Sequence, residues 1–327
     1  MKSKSFGIFL RITVSLAALG LMIYLLRGKL TEAIHILQSE IYWNFFWAGV
    51  AAYFIALIIL AQRLQLIFKA EGIKLSYQEI FYLNWVGLFF NFFFPSAVGG
   101  DIMKIYYSYK HSGKKIASTT SVILDRLFGF ITMMSMAVIA VSLYGHQLQI
   151  PQMRPLIFTF LTIMFFCVLF FFSKKFANSF RVLKRIIPSN SKSAVSEIYH
   201  TIYSYKKKSS TLIFCLALSV VAQFFFISMH YLLTHALGIQ LSFGLFFILV
   251  PIIGIVSMAP SLGGLGVREA GAVYFFSRFM PSERALALSL LMDLVIYGYS
   301  VAGGLIYACF GGIKQPNLKE MEQLNAT

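Results

Sequence analysis

Hydrophobic positions in this chain come in long blocks, and two of the blocks break off in the same way. The first reads FYLNWVGLFFNFFF-PSAVGGD, Phe81 to Asp101; the second reads LFFILVPIIGIVSMA-PSLGGLGVRE, Leu245 to Glu269. In each, an apolar arm stops at Pro-Ser (Pro95 and Pro260), runs through a diglycine, and resumes as a more polar arm carrying charge. Each is followed by a long apolar segment with an acid inside it, Asp125 and Asp293. Several blocks pass the length of about 18 apolar residues that a membrane-spanning helix needs.

The pattern predicts full crossings near 8–27, 42–62, 118–144, 155–173, 211–237 and 284–311, with the broken hairpins at 80–116 and 242–282. The first arm, Phe81 to Phe94, has 14 residues. At about 1.5 Å per residue it reaches roughly 21 Å, short of a hydrocarbon core about 30 Å thick, so it should enter and turn back. The second arm reads as longer and contains Pro251 and Gly254. The fold class expected is an all-α polytopic membrane protein with about six full crossings and two re-entrant hairpins. Each half, 1–150 and 151–313, then has three crossings and one hairpin, and an odd number of crossings turns the halves into an inverted-topology repeat. The matching pieces SVILDRLFGF, Ser121 to Phe130, and SLLMDLVIYG, Ser289 to Gly298, align Asp125 with Asp293.

Basic residues orient the chain. The loop 174–210 carries Lys174, Lys175, Arg181, Lys184, Arg185, Lys192, Lys206, Lys207 and Lys208, whereas Gly145 to Gln152 carries no Lys or Arg. Positive charge collects on the cytoplasmic side, so that loop, both termini and the tail 314–327 are expected inside a bacterial cytoplasmic (inner) membrane. Lys2 and Lys4 precede an apolar run without a convincing cleavage site, which reads as a retained first helix.

Composition agrees: 58% of the 327 residues are hydrophobic and 12% charged, and the mean hydropathy is +0.76. That leaves one integral membrane domain. The net charge of +16 follows from topology and anionic headgroups rather than from nucleic acid, for which no folded basic module is present. Cys167, Cys215 and Cys309 lie inside apolar runs without metal-ligand spacing. His230 and His235 are five apart, wrong for an i, i+4 zinc pair, so neither metal nor cofactor is expected.

The candidate chemistry lies at the breaks. Gly99, Gly100, Gly263 and Gly264 permit tight turns and close approach of a ligand. Helix N-termini that follow would favour a phosphate. Asp101 reads either as an N-cap or as a substrate contact. Lys104 could pair with Asp101 or Asp125, or reach a phosphate. Asp125 and Arg126 are adjacent and point about 100° apart, so they need not pair with each other; Arg126 would face a cavity. Asp293 needs a partner, and Arg268, next to Glu269, is the candidate. All of these charges also fit a plainer reading as clamps between helices. No nucleophile elbow, Walker loop or nucleotide fingerprint is present, which speaks against an enzyme and against an ATP-driven pump.

At PSAVGGDIMK (Pro95 to Lys104), SVILDRLFGF and PSLGGLGVREAG (Pro260 to Gly271) the chain resembles the flippase-like membrane domain of the lysylphosphatidylglycerol synthase family, a domain that also occurs alone in YbhN-type inner-membrane proteins. The resemblance implies a flippase or scramblase that moves an aminoacylated, glycosylated or polyprenyl lipid bearing phosphate between leaflets by alternating access. The synthases' soluble lysyltransferase domain has no counterpart here, so no transferase activity is expected. The resemblance also implies an arginine near position 293, where this chain has Asp293. The alternative is an accessory or scaffold subunit of a separately encoded lipid-modifying enzyme, such as a glycosyltransferase, docked through the basic loop.

Overall fold

The computed structural model describes residues 34–38, 41–93, 99–144, 162, 209–257 and 266–310. The expected crossings 8–27 and 155–173, the basic loop 174–210, the tail, and Pro95, Pro260, Gly263 and Gly264 lie outside the described residues. Within them the chain is helical, and no strand occurs. The principal helices are α1 (Trp43–Ala70), α2 (Tyr77–Phe93), α3 (Gly99–Ser112), α4 (Lys115–Tyr144), α5 (Ser209–Ala236), α6 (Phe243–Val256), α7 (Val267–Phe276) and α8 (Ser282–Phe310). Four of them, α1, α4, α5 and α8, are long and apolar enough to cross a membrane. They answer to the expected crossings at 42–62, 118–144, 211–237 and 284–311.

Two expectations about length are corrected. Helix α1 runs on through Arg63 to Ala70 for 28 residues, because the apolar pattern resumes as Leu64, Leu66, Ile67 and Phe68. The second entering arm is the shorter one: α6 has 14 residues, with Pro251 inside it, against 17 for α2. Apolar side chains continue past Val256, but the helix does not.

Local signals fix several ends. After α1, Gly72 takes φ +69°, its N–H donates to Lys69 O, and Ile73 N–H donates to Phe68 O at 2.9 Å. This is a Schellman stop, which needs a residue tolerant of positive φ. Helix α5 stops identically, with Gly238 at φ +69°, Gly238 N–H to His235 O and Ile239 N–H to Thr234 O. Helix α2 opens on a capping box: Glu79 Oε2 accepts from Ser76 N–H at 2.7 Å, and Ser76 Oγ accepts from Glu79 N–H at 3.3 Å.

The chain forms two compact units. One comprises Met1–Ile58, Phe81–Met103 and Phe224–Gly311. In it, the first half of α1 runs antiparallel to the second half of α5, joined by Tyr42 N–H to Ala236 O and by Tyr53 against Phe226. Helix α8 lies along α2: Trp85 meets Tyr299, and Phe90 meets Tyr307. Gly303 and Gly304 make this possible, since a Cβ on either would strike Trp85 backbone or the Phe89 ring. Helices α6, α7 and α8 pack in sequence. The other unit comprises Ile59–Ile80, Lys104–Gln223 and Gly312–Thr327. Its core sets Ile67 of α1 against Leu124 and Phe128 of α4 and Cys215 of α5.

Candidate functional site

The most concentrated set of charges in the first unit sits where α7 meets α8. Arg268 and Glu269 come from the opening turn of α7. Gly266, at φ +79°, turns the chain into this helix. Asp293 lies about three turns into α8. Arg268 Nη2 donates to Asp293 Oδ1 at 2.5 Å, to Tyr297 Oη at 2.6 Å and to Glu269 Oε1 at 3.4 Å. The guanidinium also stands 5.1 Å from the centre of the Tyr297 ring, within cation–π range. Glu269 is 2% exposed and Asp293 7% exposed, and both carboxyl groups accept from the same guanidinium nitrogen. Glu269 Oε2 and Arg268 Nε have no hydrogen-bond partner. The charge of Arg268 also acts on Tyr53 of α1 and His230 of α5. One cation therefore faces two buried carboxyl groups. The Arg268–Asp293 pairing expected from the sequence is present, and Glu269 joins it.

The second unit holds a tighter pair. Arg63 of α1, 4% exposed, donates from Nε to Asp125 Oδ1 of α4 at 2.7 Å and from Nη1 to Ser219 Oγ of α5 at 2.9 Å. Ser219 in turn donates to Cys215 O at 2.7 Å, so its hydroxyl is fully used. Gly129 leaves room for the guanidinium: a Cβ there would sit 3.4 Å from Nη1. Gln223 Nε2 donates to Gly129 O at 3.3 Å beside it. The pair ties three helices together, and this geometry fits the clamp reading of Asp125. Its partner is Arg63, which the sequence reading did not single out. Arg126 is exposed on the other side of α4, as the 100° offset between neighbours requires.

Both acids belong to polar stripes with the same spacing. On α4 the stripe is Ser121, Asp125, Gly129 and Thr132; on α8 it is Ser289, Asp293, Tyr297 and Ser300. Steps of four, four and three keep each set on one helix face. Ser121, Thr132, Ser289 and Ser300 are all buried.

The return arm of the first hairpin differs from expectation. Gly99 already opens α3, so Asp101 sits within its first turn rather than at the N-cap. The cap comes from the entering arm instead: Asn91 Oδ1 accepts the Gly100 N–H at 2.7 Å. Gly100 is glycine because a Cβ would collide with the Gly87 backbone. The close approach it permits is that of the other arm, not of a ligand. Asn91 and the Asp101 carboxylate therefore occupy the helix end at which a phosphate was expected. Lys104 is half-buried one turn further on.

The family model for the lysylphosphatidylglycerol synthase transmembrane region matches residues 8–304. The chain belongs to that family. The match takes in α1 to α7 and α8 as far as Gly304, including the Arg268–Glu269–Asp293 cluster. No curated protein and no solved structure matches the chain. As a member of the lysylphosphatidylglycerol synthase transmembrane-region family it is an α-helical membrane protein with a lipid-related role.

Proposed function

We propose that the chain is a lipid flippase or scramblase without enzymatic activity, moving a phosphate-bearing lipid between the leaflets of a bacterial cytoplasmic membrane. The observation that carries this reading is the buried Arg268–Glu269–Asp293–Tyr297 cluster. Ionisable groups are expensive inside a membrane and are retained where they face a pathway or each other. A helical clamp needs one acid for one base, as at Arg63–Asp125. The α7–α8 cluster carries an extra carboxyl and unpartnered donor and acceptor atoms, which supports a working site.

Alternating access around this site follows from an inverted repeat, with both termini cytoplasmic. Four matched features support the repeat. Helices α1 and α5 each have 28 residues, and α4 and α8 have 30 and 29. The stretches GIKLSY, Gly72 to Tyr77, and GIQLSF, Gly238 to Phe243, carry the same Schellman stop. Each half then has a short arm followed by a return arm bearing a buried acid in its first turn, Asp101 and Glu269. The polar stripes of α4 and α8 close the series. In this reading Lys104, Arg126 and Arg268 each act on the lipid phosphate along its path.

The test is lipid transfer between leaflets of proteoliposomes with Arg268→Ala and Arg126→Ala variants that retain the wild-type elution profile. Transfer should fall in each. Unchanged transfer in both would remove these residues from the pathway.

A further inference from the structure

The α7–α8 cluster has an imbalance that the Arg63–Asp125 pair lacks. Asp293 and Glu269 both sit against the same nitrogen, Arg268 Nη2, at 2.5 and 3.4 Å, both are buried, and one cation among the described residues, Arg268, serves them. Two buried carboxylates that share one guanidinium nitrogen in a medium of low dielectric carry one negative charge more than the cation balances, and each raises the cost of the other. The unpartnered Glu269 Oε2 points the same way. A buried acceptor without a donor is costly, and protonation of the pair supplies a donor.

We propose that Glu269 and Asp293 form a proton-binding site holding one exchangeable proton, and that this proton couples lipid movement to the pH gradient; the coupling, though not the proton site, rests on the flippase reading above. The groups around the pair are accounted for. Helix α7 contributes Arg268 and Glu269, and its Tyr274 is exposed. Helix α8 contributes Asp293 and Tyr297. Helix α6, packed on α7, has no titratable side chain. Among the described residues, Tyr53 of α1 and His230 of α5 also feel the charge of Arg268. His230 Nδ1 lies 2.9 Å from Phe226 O, a pure acceptor, so Nδ1 carries a hydrogen. Tyr297 is engaged by Arg268. In the cycle, the proton enters from water on one side, resides on the carboxyl pair, and leaves to water on the other. Charge is balanced because the pair alternates between one and two negative charges beside Arg268. An anionic headgroup drawn to Arg268 would compete with the second negative charge and so favour the protonated state.

The experiment is infrared spectroscopy of the purified full-length chain in lipid nanodiscs near neutral pH, in normal and heavy water. The expected result is a protonated-carboxyl band that shifts on deuteration. It should be lost in both Glu269→Gln and Asp293→Asn. Isotopic labelling of glutamate and aspartate carboxyls in the unaltered chain gives the same assignment without any variant. Absence of such a band, or a band that neither label moves, overturns the site. A second arm imposes a pH step across proteoliposomes. One-to-one coupling predicts roughly a tenfold lipid asymmetry per pH unit, lost in Glu269→Gln. Lipid exchange in the unaltered chain that ignores the pH step, with the infrared band present, overturns the coupling. A band present with no lipid movement in any variant upholds the proton site and refutes the flippase reading instead.

Discussion

Arg63 and Arg268 do different work although each pairs with an acid on a crossing helix. Arg63 is 4% exposed, and it donates from Nε to Asp125 and from Nη1 to Ser219. Removing it strands a buried carboxylate among α1, α4 and α5. Arg63→Ala should therefore cost about 3–5 kcal/mol of stability, as truncating one partner of a buried pair does. Thermal unfolding in detergent checks this, and Arg63→Met with Asp125→Leu should recover most of the loss. A single variant that melts like the wild type would mean the pair contributes nothing. The Arg268 site behaves otherwise, because Asp293 can share a proton with Glu269 when the cation is gone. Arg268→Ala should then lose less stability than Arg63→Ala, measured side by side; an equal or larger loss would make Arg268 a plain clamp. The Arg268–Asp293 pairing was legible in the sequence, because a lone acid deep in an apolar helix demands a partner and Arg268 occupies the charged return arm of the hairpin before it. Arg63 was not. It stood just past the expected end of a crossing at residue 62, where an arginine reads as a solvated end. The signal that could have found it is the apolar run Leu64 to Phe68 beyond it, which carries the helix on to Ala70.

Glycines set how closely the helices approach. Gly100 lies against the Gly87 backbone, and Gly303 lies against Trp85 backbone, so a methyl group has nowhere to go. Gly100→Ala and Gly303→Ala should each cost about 1–3 kcal/mol, the usual range for overpacking. Gly298, in α8 with nothing near its Cβ direction, provides the contrast: Gly298→Ala should be neutral or stabilise by about 0.5–1 kcal/mol through helix propensity. Midpoints of thermal unfolding rank the three, and a Gly298→Ala loss as large as the Gly100→Ala loss would refute the packing account. Gly72 and Gly238 act through the backbone instead, at φ +69°; alanine there should cost about 1–2 kcal/mol from left-handed strain alone. At this scale the sequence announced the hairpin breaks, since Pro-Ser and a diglycine end an apolar arm visibly. It did not announce why Gly100 is glycine. The apposition with Gly87 is a contact between residues thirteen apart on two arms, and helical periodicity within either arm is silent about it. The relative lengths of the arms were misread for a similar reason: apolar character continues past Val256, whereas the helix ends there.

The whole molecule combines a conventional clamp with an unbalanced site, each on a polar stripe of the same residue spacing. If the repeat is functional, the halves have diverged in where the cation comes from. Arg63 lies on the helix before the first hairpin, and Arg268 on the return arm of the second. Movement of lipid is the central claim, and leaflet transfer tests it most directly. Proteoliposomes holding the purified chain and a headgroup-labelled phospholipid are bleached from outside with an impermeant reagent. The account predicts loss of signal beyond the outer leaflet, about half of the total in a symmetric bilayer, with the excess reduced in Arg268→Ala. Bleaching that stops at the outer leaflet for phospholipid, aminoacylated lipid and polyprenyl phosphate alike would contradict it.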